Sequence, residues 1–398
     1  MADSSARTGG RGAPAMRISL NDPVFRAIFW QVVVVGTIGF VVWYLIANTL
    51  HNLEVRKIAT GWTFLDREAG FAIGESLIEY EPDHSYGRAL WVGALNTLRV
   101  AAIGIVLATI LGTFIGIGRL SKNWLISKVC SVYVEFMRNL PLLVQLFFWW
   151  AMFQDVFPGP RQALEPITGV FFSNRGIKIP VPAEHWVHAW MGLAFLAGIA
   201  ASMVVGRWAA ARQAATGEQF PVLYATLGLV LGLPFVVWLI GGAPVAMDWP
   251  VLRGFNFQGG LTMTPEFAAL LVGLVTYTAG FIAEIVRAGI LAVPHGQTEA
   301  ASALGIRRGK MLQLVILPQA LRVIVPPMTS QYLNLTKNSS LAVAIGYPDL
   351  VSIANTTINQ TGQAIEGIAI IMAAYLTVSL SISLFMNWYN KRIAFKER

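Results

Sequence analysis

Apolar positions in this chain gather into long blocks separated by short polar stretches, and eight of the blocks are long enough to be membrane helices. They run from about Phe25 to Leu50, Leu90 to Ile117, Leu140 to Phe157, Trp186 to Gly206, Pro221 to Ile240, Pro265 to Ile290, Val323 to Val343 and Ile365 to Tyr389. Roughly 20 apolar residues in a helix cross about 30 Å of hydrocarbon. The pattern therefore predicts an all-α polytopic membrane protein with about eight transmembrane helices. Gly112 and Gly116, and likewise Gly228 and Gly232, have the spacing of helix-packing faces.

Charge orients the set. Arg7, Arg11, Arg17 and Arg26 lie at or before the start of the first run, Arg119, Lys122 and Lys128 follow the second, and Arg207 and Arg212 follow the fourth. Arg307, Arg308 and Lys310 follow the sixth, and Lys391, Arg392, Lys396 and Arg398 close the chain. With alternate crossings all of these fall on one side, which the positive-inside rule makes the cytoplasm, and an even number of spans returns both termini there. The loop after the first run carries Glu54, Asp66, Glu68, Glu75, Glu79, Glu81 and Asp83 and is net acidic, as an external loop can be. The predicted organisation is a cytoplasmic tail over 1–24, rich in Ser, Gly, Ala and Arg and expected to be disordered, an added anchor over 25–50 and a periplasmic loop over 51–87. A transmembrane domain follows over 88–390, and a cytoplasmic tail over 391–398. The first run is too long for a signal peptide and lacks a clear small-x-small cleavage site, so it reads as an uncleaved anchor.

Composition agrees: 55% of residues are hydrophobic and only 13% are charged. The net charge of +8 then belongs to the cytoplasmic loops and lipid bilayer rather than to nucleic acid. Cys130 is the only cysteine, so no internal disulfide forms. His185 and His188 are too few for a metal site and stand beside Trp186 and Trp190 at the edge of an apolar run, where interfacial packing explains them.

The polar segment between the sixth and seventh runs is the most specific part of the chain. Thr298 to Leu304 is expected to form a short helix, with Thr298 as N-cap, Glu299 in the first turn and Gly305 as terminator. A second short helix over Arg307 to Leu317 carries Arg307, Arg308 and Lys310 on a solvated side, and Pro318 marks a turn or helix start. Glu299-Ala300-Ala301, three residues, Gly305, nine residues and Val315-Ile316-Leu317-Pro318 resembles the E-A-A loop of permease subunits of ABC importers. Val315 at an isoleucine position is the one departure.

The resemblance spreads from about Tyr86 to Tyr389. Glu135, Arg138 and Pro141-Leu142-Leu143-Val144-Gln145 are similar to a signature of polar amino-acid permeases, with Asn139-Leu140 in place of the commoner Gly-Thr. Ala283-Glu284-Ile285-Val286-Arg287, Val293-Pro294, Gly296-Gln297 and Leu317-Pro318-Gln319-Ala320 match the same family. The tract Thr329 to Leu350, the long first loop and the extra spans look most like a permease of the general L-amino-acid importers of α-proteobacteria. The family's core of five spans then corresponds to the second, third, sixth, seventh and eighth runs, with the fourth and fifth forming an inserted hairpin over about 158–260.

The resemblance implies a type I importer permease that moves L-amino acids, acidic ones included, from periplasm to cytoplasm across the bacterial inner membrane. Its implied partners are a second homologous permease, ABC ATPase subunits and a periplasmic amino-acid-binding protein. Glu299, Ala300, Ala301, Gly305, Leu317 and Pro318 would couple to the ATPase. No cofactor is expected on this chain, ATP and Mg²⁺ being held by the partner. Gly305 to Met311 fails as a phosphate loop: it is one residue short, and Met311 offers no hydroxyl for Mg²⁺. The chain is thus not an ATP-hydrolysing enzyme by itself. A passive channel would need no ATPase dock, while an opine or betaine as cargo fits the same family.

Ionisable residues within the apolar runs are costly and become candidates by default. Glu135, Arg138, Glu284 and Arg287 are as consistent with a structural or gating role as with substrate contact, Glu284 and Arg287 being able to pair at i,i+3. Asn139 is expected to N-cap the third span, with Pro141 in its first turn. Asn334, Thr336, Lys337, Asn338, Ser339 and Ser340 interrupt the seventh run. One reading is a broken helix restarting at Ser339 or Ser340 with free amides for a substrate carboxylate and Lys337 as a cation for acidic cargo. The other has Lys337 snorkelling and the hydroxyls bonding to their own helix. Gln145 is the expected polar contact from the third span.

Overall fold

The computed structural model describes residues 23–55 and 60–393, and the chain is mostly helical. The basic tails lie largely outside the described residues. In order the helices are α1 (Pro23–Val55), α2 (Tyr86–Arg119), α3 (Trp124–Asn139), α4 (Leu142–Ala151), α5 (Trp186–Thr216), α6 (Val222–Leu227), α7 (Leu233–Ile240), α8 (Pro265–Leu291), α9 (His295–Ala303), α10 (Arg308–Met311), α11 (Leu317–Asn338), α12 (Leu350–Thr361) and α13 (Ala364–Ile393).

Among the described residues seven helical stretches, not eight, are long and apolar enough to cross a membrane. The third run is the exception. Leu140 and Pro141 are extended at φ −90°, ψ 131° and φ −55°, ψ 135°, so the chain breaks there, and the apolar helix Leu142–Val156 is too short to be counted with the others. Its 15 residues rise only about 22 Å. Asn139 is not the N-cap of this helix; it is the last residue of α3, and Pro141 occupies the cap with no side-chain bond. The α3 helix is amphipathic and was not among the expected spans.

The bundle is organised around α8, two-thirds of whose apolar window is buried, against α2, α4 and α11. Gly112 and Gly116 let α2 approach it: a Cβ on Gly112 would lie 2.7 Å from Ile282 Cβ, and one on Gly116 2.7 Å from the Ala283 carbonyl oxygen. Ala108, Ile282, Val286, Ile324, Met328 and Leu335 fill one part of the core, while Leu146, Phe267, Leu270, Leu274 and Tyr347 fill another. The other glycine pair does not act as a packing face. Gly228 and Gly232 bracket a π-helical turn between α6 and α7, and a Cβ on either would meet nothing within 4 Å. It is Gly198 of α5 that lets the hairpin close, on Leu229 and Val230.

The α5–α7 hairpin is joined to the bundle through short antiparallel strands that the apolar pattern did not reveal. β1 (Leu164–Ile167), β2 (Val170–Ser173), β3 (Gly176–Ile179) and β8 (Leu261–Met263) make one sheet in that order; β4 (Val181–Pro182) pairs with β5 (Met247–Asp248), and β6 (Val251–Arg253) with β7 (Asn256–Gln258). β8 leads into α8, whose N-cap Thr264 accepts from the Phe267 amide at 3.1 Å. The sheets and α9 therefore attach to opposite ends of α8.

Candidate functional site

In the segment between α8 and α11 the first short helix is capped by Pro294, not Thr298. Pro294 is extended and caps α9, whereas Thr298 sits within the helix and its carbonyl accepts from Ser302 Oγ at 2.8 Å. Glu299 consequently lies in the second turn, exposed, with His295 Nδ1 at 3.3 Å from its Oε1. Such an exposed pair contributes little to stability. Ala300 faces outward beside it, and Ala301 is buried against the following turn.

Gly305 terminates α9 at φ +70°. The Ile306 amide donates to the Ala301 carbonyl at 3.1 Å and the Gly305 amide to that of Ser302 at 2.9 Å, the paired bonds of a Schellman end. Only glycine takes this left-handed conformation without strain. The expected second short helix is not separate: α10 runs through a π-helical turn over Leu312–Ile316 straight into α11. There the Leu317 amide reaches the Leu312 carbonyl five residues back, just before Pro318, which has no amide to donate. Leu304, Leu312, Leu314 and Leu317 are all exposed around this knob.

On α11, Asn334 and Lys337 are exposed on one face with Ser330, while Thr336 and Ser339 are completely buried. The helix does not break. Asn338 and Ser339 keep right-handed helical angles, the winding tightens to a 3₁₀ helix over Ser339–Ile345, and Gly346 at φ +79° ends it. Thr336 Oγ donates to the Tyr332 carbonyl, Ser339 Oγ to that of Thr336 and Ser340 Oγ to that of Lys337, at 2.9, 2.7 and 2.7 Å. The restart with free amides at Ser339 or Ser340 is thus overturned, because these hydroxyls serve their own helix. What remains of the expected set is Asn334, Lys337 and the half-buried Asn338.

Gln145 is a second correction. It is buried, and its Nε2 donates to the carbonyls of Met137 at 3.0 Å and Leu140 at 3.1 Å. It therefore satisfies the orphaned end of α3 across the break at Pro141.

Glu284 and Arg287 do pair, at 2.6 Å, but not alone: Arg119 at the end of α2 also bonds Glu284, and its Nε reaches Ser131 Oγ at 3.3 Å on α3. The sequence pattern used Arg119 only as a marker of sidedness. Arg138 instead stacks over the Phe281 ring at 5.3 Å, and Glu135 is exposed. On the connection from α11 to α12, Asp349 is fully buried and caps α12 by accepting from the Ser352 amide at 2.8 Å. Burial pushes its carboxyl up to about 7, with the Ser352 and Val351 amides opposing.

A family model described as the binding-protein-dependent transport system inner membrane component matches residues 220–395. The chain is 49% identical over 385 residues to the general L-amino acid transport system permease protein AapQ of Rhizobium johnstonii, covering 96% of each. It is 44% identical over 410 residues to the glutamate/glutamine/aspartate/asparagine transport system permease protein BztB of Rhodobacter capsulatus, covering 95% of this chain and 96% of that one. Against the glutamate/aspartate import permease protein GltJ of Escherichia coli the identity is 25% over 304 residues, 76% of this chain and 87% of the relative. With near-complete coverage at such identity, and with apolar helices long enough to span a bilayer many times, the chain belongs to the permeases of amino-acid ABC importers, multi-pass components of the inner membrane.

Proposed function

We propose that this chain is one of two homologous permease subunits that carry L-amino acids, acidic ones included, from periplasm to cytoplasm by alternating access. A periplasmic binding protein delivers the amino acid, and separate ATPase subunits hold ATP and Mg²⁺. The observation that carries this reading is the 49% identity to a general L-amino acid permease along 96% of the chain. The geometry of α9 supports the coupling role. Glu299 and Ala300 are presented on an exposed helix, rimmed by Leu304, Leu312, Leu314 and Leu317, and that helix lies between α8 and α11. A force on α9 acts on both helices at once.

Lys337, Asn334 and Asn338 are then the groups that face the substrate path. Lipid does not tolerate an exposed polar face at that position along a span, so a water-lined pathway or the second permease must meet it. Glu284, with Arg119 and Arg287, fixes α2 and α8 above the coupling segment. The test is reconstitution of the permease pair with its ATPase and receptor in proteoliposomes: uptake of labelled L-glutamate and L-leucine requiring both ATP and receptor is expected. Uptake without ATP would leave a passive pathway instead.

A further inference from the structure

The loop between α1 and α2 places a carboxylate inside the bundle. Glu75 Oε1 lies 2.5 Å from Arg99 Nη1, and its Oε2 accepts from Thr264 Oγ at 2.6 Å. Arg99 is on α2, its side chain only 14% exposed, with its guanidinium 4.2 Å above the centre of the Phe267 ring. A cation so placed needs an anionic partner, and among the described residues its ion pair is with Glu75 of the loop. Asn96, one turn earlier, donates to the Glu75 carbonyl at 2.8 Å and to that of Pro348 at 2.9 Å, while its own Oδ1 is buried without a donor.

Glu75 also forms part of the wall of a polar cavity of about 380 Å³, with Gly74, Thr264, Glu266, Pro348 and Ser352. That volume is within the range of small-molecule sites, about 300–1,000 Å³. Arg99 is not part of that lining but is bonded to Glu75, which is.

We propose that Arg99 is a recognition point for the α-carboxylate of an incoming amino acid, and that Glu75 occupies it until the amino acid arrives. This rests on reading the chain as an amino-acid permease. Exchange of one carboxylate for another leaves the guanidinium paired throughout, avoiding the cost of a bare buried charge. The incoming carboxylate takes bonds to Arg99 and Thr264, and the displaced Glu75 and nearby Glu266 face the substrate ammonium. The group recognised is the one all amino acids share, so the site accepts them irrespective of side chain.

The experiment measures binding of labelled L-leucine to the complete transporter in lipid nanodiscs without receptor. Glu75→Gln removes the internal competitor and is expected to tighten binding by at least about threefold, by raising the fraction of free Arg99. Arg99→Gln is expected to abolish it. Isoamylamine, which is leucine without its carboxylate, should not displace the label. Glu75→Asp keeps the charge one methylene short and should tighten binding less; it carries the test if Glu75→Gln does not assemble. Unchanged or weaker binding in both Glu75 variants, or displacement by isoamylamine, overturns the proposal and leaves the pair as a fixed tie. Receptor-dependent uptake of leucine by the unmodified complex separates the two readings: without it both fall, and with it a failed gain in affinity overturns this inference alone.

Discussion

Gln319 Nε2 lies 3.4 Å from Gln297 Oε1, a hydrogen bond that joins the first turn of α11 to the first turn of α9. The same Gln319 nitrogen donates to the Val315 carbonyl at 3.0 Å, in the π-helical turn. The α9 helix is therefore tied directly to the helix that carries Lys337.

Glu299→Lys is expected to abolish ATP-driven uptake while leaving membrane insertion unchanged, because it reverses the charge of the exposed face of α9. Crosslinking of α9 to the ATPase should fall in parallel. Normal uptake with normal crosslinking would remove Glu299 from the interface.

Gly305→Leu acts by another route than crowding, since a Cβ there would meet nothing within 4 Å. Its φ of +70° is the difficulty. Holding a non-glycine residue left-handed costs about 1–2 kcal/mol. Fraying of the α9 end and roughly tenfold slower transport are expected, by the usual conversion of such an energy to a rate. Gly305→Asn, which tolerates the conformation better, should be the milder variant in the same uptake assay.

Sidedness is testable with fused reporters. A cytoplasmic-only reporter after Gly305 should be active, and periplasmic reporters after Glu79 and Arg253 should be active. A periplasmic signal at Gly305 would invert the whole arrangement.

Lys337→Met is expected to impair uptake of glutamate and aspartate more than that of leucine, because only acidic cargo loses a charge partner in a low-dielectric path. Lys337→Arg keeps the charge with a different shape and should fall between. Equal losses for labelled glutamate and leucine would make Lys337 architectural.

The pH dependence of stability should carry a contribution from Asp349. Its folded carboxyl is raised to about 7, so the folded state holds the proton more tightly than the unfolded chain does. The contribution is fully present below the ordinary carboxylate value of about 3.9 and is lost as pH rises through the folded value. Asp349→Asn keeps a cap acceptor for Ser352 and is expected to flatten melting temperature against pH between these limits. An unchanged slope in the purified complex would refute the assignment.

The segments legible in the sequence were those fixed by local chemistry. Long apolar blocks gave α1, α2, α8 and α13, and the spacing of Glu299 and Gly305 located the short helix α9 and its end. The failures have a common cause in polar groups whose partners are set by distance in space. Gln145 reads as a pathway residue until the break at Pro141 leaves carbonyls within its reach. Ser339 and Ser340 read as a helix break, although their hydroxyls can satisfy carbonyls three residues back. Arg99 and Glu75 are 24 residues apart, and nothing local joins them. The β strands were missed because they are only two to four residues long, too short for an alternating pattern to register.

The seam between α2 and α8 limits where motion is possible. At Gly112 and Gly116 the backbone of one helix abuts the side chains and carbonyls of the other with no space for a single extra carbon. Sliding by one residue would bring Thr113 or Ile117 into those gaps. These two helices therefore travel as one beam, with the knob of α9 at one end and the Arg99 site at the other. Bending is easier elsewhere: at the extended Leu140–Pro141 break between α3 and α4, and along α11, where Pro326 and Pro327 remove backbone donors from the helix.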